Sequence, residues 1–280
     1  ANEIIVVNDG STDRSAEIAR SFANHGVVVV DQSNRGQCAA CNRALSLARG
    51  DLVKFVDADD LLSPDMIERQ IRGLIDRPDC IAYGEWARFH DDPAAAEFVS
   101  RPGAGDAPPV EWLLDLWHDG QPMMQCALFL IPRNLLARTG GWDEQLSLVN
   151  DFEFFSRVVL ASGGVVFTPG ARLYYRSGLP GSLSGRKSAA AWRSAFLSFT
   201  TGTAHLLAAE NTPRTRRAAA TMLQRLVYDM YPSTPALVGQ LEAQVAELGG
   251  TSLPPLGGRG FHAVRRLLGW KAARWLQVWA

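Results

Sequence analysis

Cysteine, net charge and long apolar runs are all scarce in this 280-residue chain, and each scarcity removes a class of protein. The four cysteines, Cys38, Cys41, Cys80 and Cys126, do not make the dense framework of a small disulfide-stapled domain and are expected to stay reduced. Cys38-Ala-Ala-Cys41 has a C-x-x-C spacing, but there is no second pair and the flanks read as helix. Two small helix residues explain it better than a zinc or redox site. A net charge of −1 excludes a general nucleic-acid binder, which needs a strong basic excess. No apolar run is long enough for a bilayer-spanning helix and no leader pattern is visible, so the sequence alone predicts a cytoplasmic protein. An initiator Met is missing too. Ala1-Asn2-Glu3 runs straight into Ile4-Ile5-Val6-Val7, which reads as a start inside a longer chain.

What is present suits a folded enzyme-sized body. An apolar content of 47% and a charged content of 20% are ordinary for globular proteins. The length suits one large domain, or one domain with an appendage.

The stretch Asp51-Leu-Val-Lys-Phe-Val-Asp57-Ala-Asp59-Asp60 stands at the centre of the pattern. A strand-length apolar run ends in three carboxylates within four positions. Like charges held that closely repel unless a cation or protons offset them. In open α/β sheets ligands bind beyond the carboxyl ends of the strands, so the cluster is a natural seat for Mg²⁺ or Mn²⁺. The alternative is an acidic turn whose side chains cap the next helix.

Around it the sequence alternates. Glu3 to Asn8 reads as a buried strand, followed by a helix to Asn24 with Ile18, Ala19 and Phe22 on one face. Val27 to Val30 is a strand, and Gln37 to Arg49 a helix. Ser63-Pro64 is expected to open a third helix as N-cap and first residue. Short links between alternating strands and helices predict a parallel sheet covered on both faces. Beyond Cys80, strands are expected over Ile81 to Phe89, Cys126 to Ile131, Val165 to Phe167 and Arg172 to Arg176. Helices are expected over Trp112 to Trp117, after Pro132, and over Asp151 to Ala161. Ser177 to Lys187 is Gly/Ser-rich and reads as a mobile loop, and the chain from Ser188 onward reads as helical.

Four anchors in order carry a resemblance: Val7-Asn-Asp9-Gly-Ser-Thr-Asp13, Asn34-Arg-Gly36 through Asn42, Asp57-Ala-Asp59-Asp60, and Gly141-Trp-Asp-Glu144 through Asn150-Asp151. Over residues 3 to 185 the chain resembles the family 2 inverting glycosyltransferases of the GT-A fold. The resemblance implies an α/β, Rossmann-like, mostly parallel sheet flanked by helices, here with a helical C-terminal region. Residues 1–110 would be the nucleotide-sugar-binding half, 111–187 the acceptor half, and 188–280 the helical region. It also implies a strand ahead of Glu3 that the sequence does not show.

The resemblance also implies roles for single residues. Asp9 would contact the nucleobase, with an Asx turn as the local alternative. Gly36 would let the backbone approach the nucleotide, and Asp57 would lie near the ribose. Asp59 would ligate Mn²⁺ or Mg²⁺. Asp151 would be the catalytic base, although Asn150 and Asp151 are also good N-caps, and Asn150 stands where the family usually has Glu. Trp142 and Asp143 would build the acceptor pocket, with a core Trp as the alternative. Arg176, Arg186 and Lys187 would clamp the diphosphate, while Gly178 occupies the place of a frequent metal-binding His. The expected activity is transfer of a sugar from a nucleotide-diphospho-sugar, UDP-linked by preference, to an acceptor hydroxyl with inversion. The acceptor would be a saccharide or lipid-linked saccharide in cell-surface polysaccharide or glycoconjugate synthesis. A nucleotide-sugar-binding module without catalysis, or a sugar-phosphate nucleotidyltransferase, are the competing readings.

The last helix, Phe261 to Trp279, is basic, Trp-bearing and amphipathic, and no acid follows Glu247. Peripheral contact with an anionic membrane surface and packing on the domain or a partner are both open for it.

Overall fold

The computed structural model describes residues 3–179 and 188–279. The expected alternation is present at the start. Strand β1 (Ile4–Asp9), helix α1 (Ser15–Ser21), strand β2 (Val27–Gln32) and helix α2 (Gln37–Leu47) follow in order. β1 and β2 pair in parallel from Ile4 opposite Val27 to Asp9 opposite Gln32. The unit is shallow: α1 has no buried residue, and Ile18 and Phe22 are each about half exposed.

The second sheet holds the core. Its strands are β3 (Leu52–Val53), β4 (Leu61–Leu62), β5 (Ile81–Phe89), β6 (Phe129–Pro132) and β7 (Val165–Arg176), in the order β3-β6-β5-β7-β4. The long β5–β7 ladder is parallel, whereas β3–β6, β5–β6 and β4–β7 are short and antiparallel. The sheet is therefore mixed and not mostly parallel as expected, with one long parallel ladder, β5–β7, against three short antiparallel pairs.

Several boundaries moved for local reasons. The strand expected before Asp57 keeps only Leu52 and Val53, because Lys54 turns inward and donates from Nζ to the carbonyls of Ala127 (2.6 Å) and Phe129 (3.0 Å). Helix α3 (Met66–Leu74) starts after Ser63-Pro64, with Asp65 as its N-cap. Ser63 is held to β7 instead, donating its N–H to the Arg172 carbonyl. Residues 126–128 form a 3₁₀ turn, since the Gln125 side-chain oxygen accepts the Ala127 N–H at 2.6 Å. The two strands expected after Val165 are one element, and its pairing with β5 jumps from Tyr83 opposite Phe167 to Glu85 opposite Arg172. Gly84 makes the jump possible, since a Cβ there would lie 2.4 Å from the Ala171 carbonyl oxygen.

Helices α4 (Pro109–Trp117), α5 (Arg133–Thr139) and α6 (Asn150–Ala161) pack on this sheet. Phe152, Phe154, Phe155, Val158 and Val159 of α6 are buried. Phe155 stacks on Phe129 at 3.9 Å and Phe154 on Trp142 at 3.9 Å. Burying each such ring contributes roughly 2–3 kcal/mol, with additional gain from the ring pairs. Helices α7 (Ala189–Ala209), α8 (Pro213–Met230) and α9 (Pro235–Glu247) continue the core outward. α10 (Arg259–Trp279) kinks at Gly269, where φ is 80°. It leaves Leu267, Leu268 and Leu276 exposed. No helix among the described residues is long and apolar enough to cross a membrane.

Candidate active site

The site is built where β5 and β7 end and α6 begins. Val149 is the N-cap of α6 and has a left-handed backbone, φ 58°. A β-branched residue there is strained, so the surroundings must hold it. Two serines of α7 do so. Ser198 donates to the Val149 carbonyl (2.6 Å) and accepts the Glu153 N–H, while Ser194 accepts the N–H groups of Ser147 and Leu148. Val149 takes the cap position, so Asn150 and Asp151 are inside the first turn and neither side chain caps the helix.

Their side chains are used otherwise. Asn150 is buried and donates to Gln37 Oε1 (3.1 Å) and Cys38 Sγ (3.2 Å). Asp151 keeps some surface as a residue, but its Oδ1 is shut from solvent and has no hydrogen-bond partner. Burial, then the charges of Asp57 and Asp60, push its carboxyl well above the usual range. An unpartnered buried carboxylate oxygen beside a cleft is costly for folding alone and is characteristic of sites that take or give a proton.

The three clustered aspartates separate into distinct environments. Asp57 accepts from Gln37 (2.8 Å) and Gln125 (3.2 Å), and burial followed by Asp59 raises its carboxyl against those two amides. Asp60 accepts from Gln125 (2.5 Å) and from the Arg176 N–H (2.9 Å). Burial, assisted by Asp57 and Asp59, lifts Asp60 to about 7. Asp59 is exposed, and its carboxylate makes no hydrogen bond or ion pair among the described residues. No group of three or more His, Cys, Asp or Glu side chains is arranged to hold a metal among them. One free carboxylate is nevertheless a fitting donor for a hard divalent ion that completes its shell with substrate phosphate and water.

A cleft of ≈ 740 Å³ gathers these groups, with Asp57, Asp59, Asp151, Arg176 and, from α10, Arg274 in its wall. The Arg176 guanidinium is fixed by the carbonyls of Asp59 (2.9 Å) and His90 (3.1 Å) and lies over the Phe89 ring. It has no carboxylate partner among the described residues, so its charge remains available to an anion. The Nε of Arg274 is shut from solvent without a hydrogen-bond partner. A second cleft of ≈ 570 Å³ shares Gln125, Val149, Asp151 and Tyr175 with the first. Asp151 thus forms part of a wall common to two cavities.

Asp9 and Gly36 are brought together but just outside this cleft. The Asp9 carboxylate accepts from Gln32 Nε2 and from the N–H groups of Arg35 and Gly36, at 2.8 to 2.9 Å. Gly36 has φ 89°, and the space where its Cβ would stand is empty. Gln37, the next residue, lines the cleft and reaches Asp57.

The acceptor-pocket role expected of Trp142 is corrected by its burial. At 4% exposure, stacked on Phe154 and met edge-on by Phe55 and Phe155, it has no ring face left for a sugar. Asp143 closes a turn by accepting the Gln145 N–H and lines neither cleft. Gly178 has φ 80°, and a Cβ would lie 2.7 Å from His90 Nδ1, so a larger side chain does not fit there as packed. Arg186 and Lys187 lie outside the described residues. Cys38 and Cys126 are buried and Cys41 partly so; burial pushes all three thiols up, away from the thiolate that metal or redox chemistry requires.

Sequence reasoning missed Gln125, which bridges Asp57 and Asp60, and Val149 with its two serine supports. Their only sequence mark is position, a polar residue before an apolar run and a residue before Asn-Asp. Their roles come from tertiary contacts.

With this geometry established, comparison with known proteins is informative. A model of glycosyl transferase family 2 matches residues 1–132. Over those residues the chain resembles the family 2 glycosyltransferases. The chain is 38% identical over 91 residues to EpsH of Bacillus subtilis, an alignment covering 32% of this chain and 26% of EpsH. It is likewise 38% identical over 91 residues to the glycosyltransferase GlyA of Streptococcus pneumoniae, covering 32% of this chain and 13% of GlyA. The matched part is thus about a quarter of one relative and an eighth of the other. Among solved structures, residues 1–349 of Staphylococcus aureus TarS superpose with a TM-score of 0.67 at 15% identity, over 99% of this chain and 82% of that one. The same TarS fragment with UDP-GlcNAc gives 0.70 at 14% identity. Likeness at that identity shows the fold, which is GT-A.

Proposed function

We propose that this chain transfers a sugar from a nucleotide-diphospho-sugar to an acceptor hydroxyl with inversion at the anomeric carbon. The observation that carries the reading is the Asp151 carboxylate, unpartnered at Oδ1 and set in the wall between two clefts. A donor in the larger cleft would meet Asp59, Arg176 and Arg274. An acceptor in the second would bring its hydroxyl to Asp151. Inversion requires one carboxylate that removes the acceptor proton as the oxygen attacks the anomeric carbon from the face opposite the leaving diphosphate. The raised Asp151 carboxyl suits a stronger base, and the rate should rise with pH where an ordinary carboxylate is already ionised.

UDP is the favoured nucleotide. The family 2 match and the TarS fragment solved with UDP-GlcNAc and with UDP support that choice. Asp9 is proposed for the base, Gly36 for close backbone approach and Asp57 for the ribose side. Asp59 would hold Mn²⁺ or Mg²⁺, whose bound charge stabilises the departing diphosphate. A place in cell-surface polysaccharide or glycoconjugate synthesis is part of the same proposal.

The direct test is UDP-sugar turnover with Mn²⁺, paired with UDP affinity in the wild type and Asp59→Asn. The metal should tighten UDP binding in the wild type and lose most of that effect in the variant. A variant that keeps the full metal enhancement removes Asp59 from the ion.

A further inference from the structure

Resting on that reading, we infer that the second cleft takes an anionic acceptor, one with a phosphodiester or carboxylate close to the hydroxyl that receives the sugar. The register of the parallel ladder puts Arg88 of β5 opposite Tyr175 of β7, with Trp86 two residues earlier on the same face of β5. All three line the second cleft, and so does Arg101 from the loop before α4. The Arg101 guanidinium lies 4.1 Å from the centre of the Trp86 ring, and that of Arg88 lies 5.1 Å from the Tyr175 ring.

Stacking holds both guanidinium planes without consuming their N–H donors. Neither arginine has a hydrogen bond or ion pair to a carboxylate among the described residues, and both are exposed. The third arginine of the cleft, Arg225, is different, because it is paired with Asp229 at 2.9 Å. The remaining acid of the rim, Asp119, is turned onto the Gln121 N–H. The cleft therefore offers two pre-oriented cation forks beside aromatic surface, next to the carboxylate proposed as base. Planar forks of this kind match phosphate and carboxylate oxygens, while aromatic faces suit the apolar side of a sugar or polyol. A neutral glycan would leave both charges unanswered.

The test uses the 280-residue chain and three labelled oligomers of matched length. These are a uronic-acid-bearing oligosaccharide, its carboxyl-reduced neutral counterpart and a polyol phosphodiester. Fluorescence anisotropy gives affinity with UDP present, and transfer from a UDP-sugar gives the acceptor KM. At least one anionic oligomer should bind about tenfold or more tightly than the neutral one, and the preference should fade with salt. Which anionic oligomer wins decides between carboxylate and phosphodiester. Arg88→Gln with Arg101→Gln should erase the preference, while Arg88→Lys, which keeps the charge, should keep its salt dependence. Thermal unfolding of each variant separates a lost site from a lost fold. Equal wild-type affinity for charged and neutral oligomers, or an undiminished preference in the folded double variant, overturns the inference. Arginine-dependent binding of the anionic oligomer without any UDP-sugar turnover would instead overturn the transferase reading and leave this inference standing.

Discussion

The first 36 residues and helix α6 are opposites in how they are specified. The opening unit carries one of the four sequence anchors and the start of a second but buries almost nothing: α1 has no buried residue, and Ile4, Ile18 and Val28 are each about half exposed. Helix α6 carries one anchor and sits in a stack of aromatic rings, with eight of its twelve residues buried. The comparison separates recognition from stability. In the opening unit the motif residues satisfy one another locally, as Asp9 does for Gln32, Arg35 and Gly36. In α6 the site residue depends on the whole core to hold it.

The sharpest way to break the comparison is to remove mass from each side. Phe155→Ala should destabilise the fold by about 3–5 kcal/mol in denaturant unfolding, because it empties a position stacked on Phe129. Ile18→Ala, at a half-exposed position, should change stability by no more than about 0.5 kcal/mol. Similar losses for the two would end the distinction.

A smaller effect tests the electrostatic side of α6. Glu153 is buried, which raises its carboxyl, but His205 and Arg157 outweigh burial and bring it from 4.5 to about 2. A lowered folded pKa means stability that is complete above 4.5 and lost as pH falls toward 2. Glu153→Gln should cost on the order of 2 kcal/mol at neutral pH. The gap to wild type should close across that acidic window in pH-dependent unfolding. A gap that does not change with pH would mean that Glu153 acts by packing alone.

A smaller change in stability than at Glu153 is expected at Asp9. Asp9→Ala removes three hydrogen bonds, yet at a partly exposed site this should cost only about 1 kcal/mol. Calorimetric UDP affinity should fall by about tenfold, because the Arg35-Gly36 backbone is released. A large stability loss with unchanged UDP affinity would make Asp9 a structural pin.

Much of this was legible in advance, and the limits come from how each feature is encoded. The first four elements and the Asp57-Ala-Asp59-Asp60 turn depend on local periodicity and turn chemistry, which a sequence displays directly. The start of α3 did not fall at Ser63-Pro64, because a long-range bond to Arg172 claims Ser63. Trp142 and Asp143 adjoin the site in sequence, but folding sends one into the core and the other into a turn. Gln125 escaped notice because its value lies in reaching Asp57 and Asp60 across 68 and 65 residues. Asp151 was visible by its match, but the reason it is not a helix cap is the left-handed Val149 held by α7. Such three-body arrangements leave no periodic trace.

The central claim is that Asp151 acts as the base at the junction of the two clefts. Its most direct test is Asp151→Asn, comparing kcat for transfer with the dissociation constant of the UDP-sugar. A base works on the acceptor in the transition state, so kcat should fall by about a hundredfold or more while donor affinity changes little. Near-normal kcat in the folded variant would contradict the account.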